Sequence, residues 1–263
     1  MTVKKALIST GKILLAICFW IAVWGVVSFR INNEFLFPSP VIVWNSLVLL
    51  TRTPEFWLIT ITSLLRVTWG ILVSLIIGTL LAYLTTVSKL LKLLLSPAIS
   101  AVKSTPVASF IILALLWLER DILPVFIIAL IVVPIVWANV SEGIQSVDKN
   151  LLEVAKLYKF SPSKKLFKLY IPTVAPYFIA ACKSALGMAW KAGMAAEILA
   201  TPTNSIGKEL YFSKTYLETP TLFAWSLVVI ILSLIIEKSF VFLIDRLGKR
   251  LHIISKGGSY AKN

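Results

Sequence analysis

Six apolar runs, at residues 13–29, 67–85, 93–118, 122–140, 171–199 and 221–244, set the terms for anything this chain can fold into. A helix needs about 20 mostly apolar residues to cross the hydrocarbon of a bilayer, and shorter runs cross when basic ends reach back to the interface. Inside lipid every backbone N–H and C=O must be satisfied within the protein, which makes runs of this length helices. The sequence therefore predicts an all-α polytopic membrane protein with about six transmembrane helices, in a single membrane domain spanning residues 1–263. Only 14% of the residues are charged, well below the roughly 25% of an average soluble domain. Two runs are interrupted, 93–118 by Lys103 and a Thr105-Pro106 break that predicts a kink, and 171–199 by Lys183, Lys191 and Glu197.

A formal net charge of +14 would suggest a nucleic-acid partner in a soluble chain, but here the cations must first be placed relative to the membrane. With the N-terminus inside, the inner segments collect Lys4, Lys5, Lys12, Lys89, Lys92, the lysines from Lys149 to Lys168, and the basic tail from Arg246 onward. The outer segments hold Arg30, Arg52, Arg66, Arg120, Lys208 and Lys214, nearly matched by Glu34, Glu55, Glu119, Asp121, Glu209 and Glu218. This asymmetry predicts a multi-pass protein of the cell membrane with both termini cytoplasmic, and anionic lipid rather than nucleic acid as the partner of the excess charge. The first run has the basic flank and apolar body of a targeting signal, yet Arg30-Ile31-Asn32-Asn33-Glu34 follows without a small-residue cleavage site, so it reads as a retained crossing. In the outer segment that follows, Phe37-Pro38-Ser39-Pro40 stops the helix and residues 41–50 are apolar enough to lie along the membrane face.

Two isolated cysteines, Cys18 and Cys182, and the single histidine, His252, predict neither a disulfide framework nor a metal site. No G-x-x-x-x-G-K-[ST] run is present to cradle nucleotide phosphates, and no nucleophile, base and orienting residue are grouped. The expectation is a protein that is not an enzyme and binds no cofactor itself.

One segment fits lipid badly. Residues 141–171 form an inner loop in which Leu151, Val154, Ala155 and Tyr158 recur at i, i+3, i+4 and i+7, one face of a helix. Ser161 before Pro162 reads as an N-cap with proline at the first helical position, restarting a second short helix. There Phe167, Tyr170 and Ile171 share one face and Lys164, Lys165 and Lys168 another, and Pro172 opens the fifth crossing. Two short amphipathic helices joined by a bend can rest on lipid headgroups or fill a groove in a partner, and periodicity does not separate these.

Glu153-Val154-Ala155, Phe160-Ser161, Ile171-Pro172 and Ala175-Pro176 together resemble the E-A-A loop of permease subunits of ABC importers, with Lys159 where the family pattern has glycine. The resemblance runs from about Leu36 to Leu210 and is nearest the nitrate, sulfonate and taurine type. Phe37-Pro38-Ser39-Pro40 is similar to their L-P-S-P, and Ser63-Leu64-Leu65-Arg66-Val67 with Gly70 to their S-L-x-R-x-x-x-G. Ala189-Trp190-Lys191, Ala195-Ala196-Glu197 and Ser205-Ile206-Gly207 resemble a further conserved-looking stretch, whereas Leu118-Glu119-Arg120-Asp121 departs from the usual glycine-rich turn. The resemblance implies a type I importer permease fold with cytoplasmic coupling helices, in which Glu153, Ala155, Tyr158, Lys159, Phe160, Ser161, Ile171 and Pro172 contact the ATPase. It also implies a cytoplasmic ATPase carrying ATP and Mg, an external solute-binding protein, a second copy of the chain, and a small organic or oxyanion solute as cargo.

The fifth crossing would line the path between two such copies, which makes Lys183, Trp190, Lys191 and Glu197, with Thr105 and Pro106 at the kink, the candidate path residues. Lys191 and Glu197 lie six residues apart, about 240° around a helix, so each needs a partner elsewhere. Glu197 also lies far enough past Ile171, roughly 39 Å of helix, to sit at the outer headgroup level instead. On the residues alone, a stand-alone secondary transporter or channel using these intramembrane charges is the alternative.

Overall fold

The computed structural model describes the backbone of residues 2–250 and the side chains of residues 15–243 and 246. His252 and the rest of the tail beyond residue 250 lie outside the described residues. The described residues form helices α1 (Thr2–Ile31), α2 (Pro40–Thr51), α3 (Pro54–Val87), α4 (Lys89–Ser104), α5 (Val107–Ala114) and α6 (Leu123–Gln145). These are followed by α7 (Lys149–Leu157), α8 (Pro162–Lys165), a π-helical turn (Leu166–Tyr170), α9 (Ile171–Ala200), α10 (Ile206–Thr215) and α11 (Thr219–Arg250).

The short helices start where the sequence supplies caps. Ser39, Thr53, Ser88, Asp148, Ser161 and Ser205 each accept a backbone N–H from the first turn of the helix they precede, and Pro40, Pro54 and Pro162 occupy first-turn positions where the missing N–H costs nothing. Ser39 and Pro40 thus start α2, where the sequence alone shows only the stop of the preceding helix. The loop before it is pinned to the bundle: Trp24 Nε1 donates to the Pro38 carbonyl at 3.0 Å, and the rings of Trp24, Phe37 and Phe223 cluster.

α3, α6 and α9 build the core, and small residues decide how closely they approach. A Cβ on Gly70 would lie 3.0 Å from the Ile128 side chain, and one on Gly78 would lie 2.7 Å from Val136 Cβ, so α3 and α6 run parallel in close contact. Gly143 of α6 meets Tyr177, and Gly193 meets Ile128 and Val67, so α9 runs antiparallel to both, packed mainly along α6. One end of the bundle therefore gathers the starts of α3 and α6 with the end of α9; the other gathers their opposite ends with α4, α7 and α8.

Two expectations need correction. The second crossing begins at Pro54 rather than near residue 67, so Arg66 is not in a loop but about three turns into α3. The third run is not one kinked helix: α4 and α5 meet at Thr105-Pro106 with a 105° bend. Proline lacks the N–H that would continue α4 and disfavours helical geometry in the residue before it, and Thr105 is accordingly extended. Among the described residues four helices are each long and apolar enough to cross a membrane, within 54–87, 123–145, 162–200 and 219–243, with the bent α4–α5 pair a fifth. The first run, described from Leu15 to Ile31, is apolar but shorter.

Candidate functional site

The hairpin at the α7 end is built as the caps dictate. α7 closes with Lys159 in the left-handed region (φ 48°); Lys159 N–H donates to the Lys156 carbonyl at 3.0 Å and Phe160 N–H to the Ala155 carbonyl at 2.9 Å. This is the Schellman closure that glycine makes without strain. Lys159 therefore adopts the very conformation that the resemblance assigns to a glycine, at about 1–2 kcal/mol for its Cβ. Ser161 Oγ then accepts from Lys164 N–H and restarts the chain as α8, while Lys164 Nζ lies 4.2 Å from the centre of the Phe160 ring. The π-helical turn joins α8 to α9 without a break.

On this hairpin only Ala155 of the expected apolar face turns inward. Leu151, Val154 and Phe167 are exposed, and Leu157 and Tyr158 reach 79% and 71% exposure. Glu153, Ser161, Ile171 and Pro172 are also exposed, and Phe160 is half-buried. The expected coupling residues are thus brought together on one element, although the segment between α6 and α9 is shorter than residues 141–171 because α6 runs on to Gln145.

At the opposite end the structure assembles a polar network that sequence reading saw only in pieces. Glu197 has no exposure; its carboxylate accepts from Arg66 Nη1 at 2.8 Å, from Ser63 Oγ at 2.8 Å and from Gly207 N–H at 3.3 Å. Ser63 Oγ in turn accepts from Ile206 N–H at 2.9 Å, and Arg66 Nη2 donates to the Thr203 carbonyl at 3.0 Å and pairs with Asp121 at 3.3 Å. Asp121 also accepts from Thr203 N–H at 2.9 Å, which docks the 118–121 loop. A Cβ on Gly207 would overlap Glu197 and the following backbone, so only glycine lets α10 approach. Ser63, Arg66, Glu197 and Ser205-Ile206-Gly207, separate motifs in the sequence, are one junction in space. The signal for it was a serine, an arginine and a glutamate embedded in apolar surroundings, where each must find partners.

The other expected path residues are dispersed. Glu197 occupies this junction rather than a cavity wall, Trp190 is buried in the α3–α6–α9 core, and Lys183 and Lys191 are exposed on α9. Thr105 is half-buried and Pro106 exposed at the α4–α5 elbow. Among the described residues no group of three or more His, Cys, Asp or Glu could hold a metal, and Cys18 and Cys182 are free thiols.

Residues 70–253 match the family described as the binding-protein-dependent transport system inner membrane component. The chain belongs to this family. It is a membrane-spanning permease subunit of an ATP-driven ABC importer, not its catalytic subunit. It is 25% identical over 228 residues to an aliphatic sulfonate transport permease of Bacillus subtilis, covering 86% of this chain and 82% of that one. It is 30% identical to a bicarbonate transport permease of Synechocystis over 58% of this chain and 54% of that one, and 28% identical to a nitrate import permease of Synechococcus elongatus over 68% of each. Among solved structures, an amino acid ABC transporter superposes with a TM-score of 0.61 at 18% identity, over 78% of this permease and 97% of that chain.

Proposed function

We propose that residues 149–171 of this permease dock in a groove of a cytoplasmic ATPase, that two copies pair around the solute path, and that both termini face the cytoplasm. The observation that carries the coupling role is the hairpin itself: an apolar face left exposed on two short, well-capped helices at one end of the bundle. ATP and Mg reside on the partner, and an external protein delivers the solute at the Glu197 end.

Lysine in a helix facing lipid costs a few kcal/mol, so exposed Lys191 on α9 favours a water-filled path or a second copy against that face. The permeases for sulfonate, bicarbonate and nitrate to which this chain is similar suggest a small oxyanion as cargo. Closure of the ATPase pair then displaces the hairpins as levers, and because α6 and α9 lead directly into them the two permease halves tilt. ATP can shift this equilibrium only if the groove holds the hairpin more tightly in one state than in the other.

The test is Glu153→Arg in the importer reconstituted with its ATPase. The variant is expected to insert in the membrane as the parent does while losing ATPase binding and solute uptake. Uptake at the parent rate would overturn the coupling assignment, and uptake into vesicles without any ATPase would favour a stand-alone transporter.

A further inference from the structure

At the hairpin end of the bundle, the last turns of α3 and α6 and the first turn of α4 line a half-open cavity of about 270 Å³ that belongs to none of the sites above. It has room for several waters or a solute of a few heavy atoms. Of its seven polar lining residues, Thr85, Thr86 and Trp137 are already paired, and Lys92, Ser141, Glu142 and Gln145 remain. Trp137 Nε1 donates to Thr85 Oγ1 at 2.8 Å, Thr85 passes its own proton to the Leu81 carbonyl, and Thr86 donates to the Ala82 carbonyl.

Exposed Gln145 is uncharged, and the other three are a hydroxyl and two opposite charges. Ser141 is only 9% exposed and its Oγ has no hydrogen-bond partner, a condition that costs a buried hydroxyl roughly 1–3 kcal/mol. Lys92 on α4 and Glu142 on α6 line the same cavity from separate helices and form no ion pair with each other. Opposite charges lining one small cavity, beside an unpaired hydroxyl, complement a solute that carries both charges. A simple anion would be opposed by Glu142 and a simple cation by Lys92.

We propose that this cavity binds a small zwitterion, its anionic group meeting Lys92 and the Ser141 hydroxyl and its ammonium meeting Glu142. The same chemistry is offered by a free amino acid or aminosulfonate and by the phosphoethanolamine headgroup of a lipid. Only three residues separate α6 from α7, so an occupied cavity would tie α4 to the root of the hairpin. That consequence rests on the coupling reading, whereas binding can be measured without any ATPase, so the two fail separately.

The experiment uses the full chain purified in detergent. Taurine, glycine, β-alanine and γ-aminobutyrate are titrated by calorimetry against propane-1-sulfonate and ethylammonium, and retained phosphatidylethanolamine is measured by native mass spectrometry. A free-solute site is expected to give saturable binding of at least one zwitterion, at least tenfold tighter than either singly charged probe. Lys92→Ala and Glu142→Ala are each expected to weaken it tenfold or more, with recovery in the charge-swapped pair Lys92→Glu/Glu142→Lys. A headgroup site is expected instead to retain the lipid in the parent and release it in the same single variants. Both charged residues are exposed, so the variants should fold, which the monodispersity of each preparation checks. Absence of both kinds of binding, or binding indifferent to Lys92 and Glu142, overturns the proposal.

Discussion

Arg66→Met should unfold the junction around Glu197 more severely than any loss of surface charge. Glu197 has 0% side-chain exposure and Arg66 10%, and the guanidinium at 2.8 Å supplies the only cation facing that carboxylate among the described ion pairs. Removing one partner of a buried pair typically costs about 3–5 kcal/mol because the remaining charge stays desolvated. Asp121, the other partner of Arg66, is 55% exposed, so Asp121→Asn should cost less than about 1 kcal/mol.

The decisive variant is the double one, Arg66→Met/Glu197→Gln. The glutamine carbonyl still accepts from Ser63 and Gly207 while the stranded charge is gone, so the double variant should lose only about 1–3 kcal/mol, less than Arg66→Met alone. Unfolding of the purified chain in mixed micelles, followed by circular dichroism against denaturing detergent, measures all four species. A loss below about 1 kcal/mol in Arg66→Met, or a double variant no more stable than the single, would refute the view that this pair holds α3, α9 and α10 together.

Gly207→Ala should be worse than most cavity-forming changes, since the new methyl overlaps Glu197 and the following backbone; accumulation of folded protein in the membrane should fall sharply. Lys159→Gly should raise stability by about 1 kcal/mol in the same unfolding assay, because glycine takes the left-handed conformation without strain. Burial raises the carboxyl of Glu209 above its ordinary range, with Lys208 opposing this and Glu55 and Glu218 adding to it. A raised folded value means the folded state binds the proton more tightly, so stability is greatest at low pH and falls as pH rises through the unfolded and then the folded value. Glu209→Gln should therefore raise the Tm at neutral pH and leave it nearly unchanged near about pH 4. Ser161→Ala removes the acceptor for Lys164 N–H and should loosen α8 by about 1 kcal/mol, read as faster amide exchange confined to the hairpin.

Hydropathy and charge asymmetry were enough to read the helical class, and Ser161-Pro162 was enough to place the second helix of the hairpin, because helix length and N-capping are local properties. Lys159 shows the same principle from the other side: its position in the closing turn is visible in sequence, while its left-handed backbone is a geometric fact. Arg66 lies inside α3 rather than before it, and counting apolar residues cannot tell a loop arginine from one inside a helix whose charge is neutralised by a glutamate 131 positions away. The 105° elbow at Thr105-Pro106 was likewise legible only as a kink, since its size depends on what α4 and α5 pack against.

What the chain's own order of residues determined is which stretches are helical, where they begin, and that a basic amphipathic hairpin interrupts them. What only the tertiary structure decided is which distant polar groups share a site: Glu197 with Arg66, Ser63 and Gly207 at one end, and Lys92 with Glu142 and Ser141 at the other. Helix formation is governed by hydrogen bonds four residues apart, but a buried charge or an unpaired hydroxyl is satisfied by whatever the packing of other helices brings within reach.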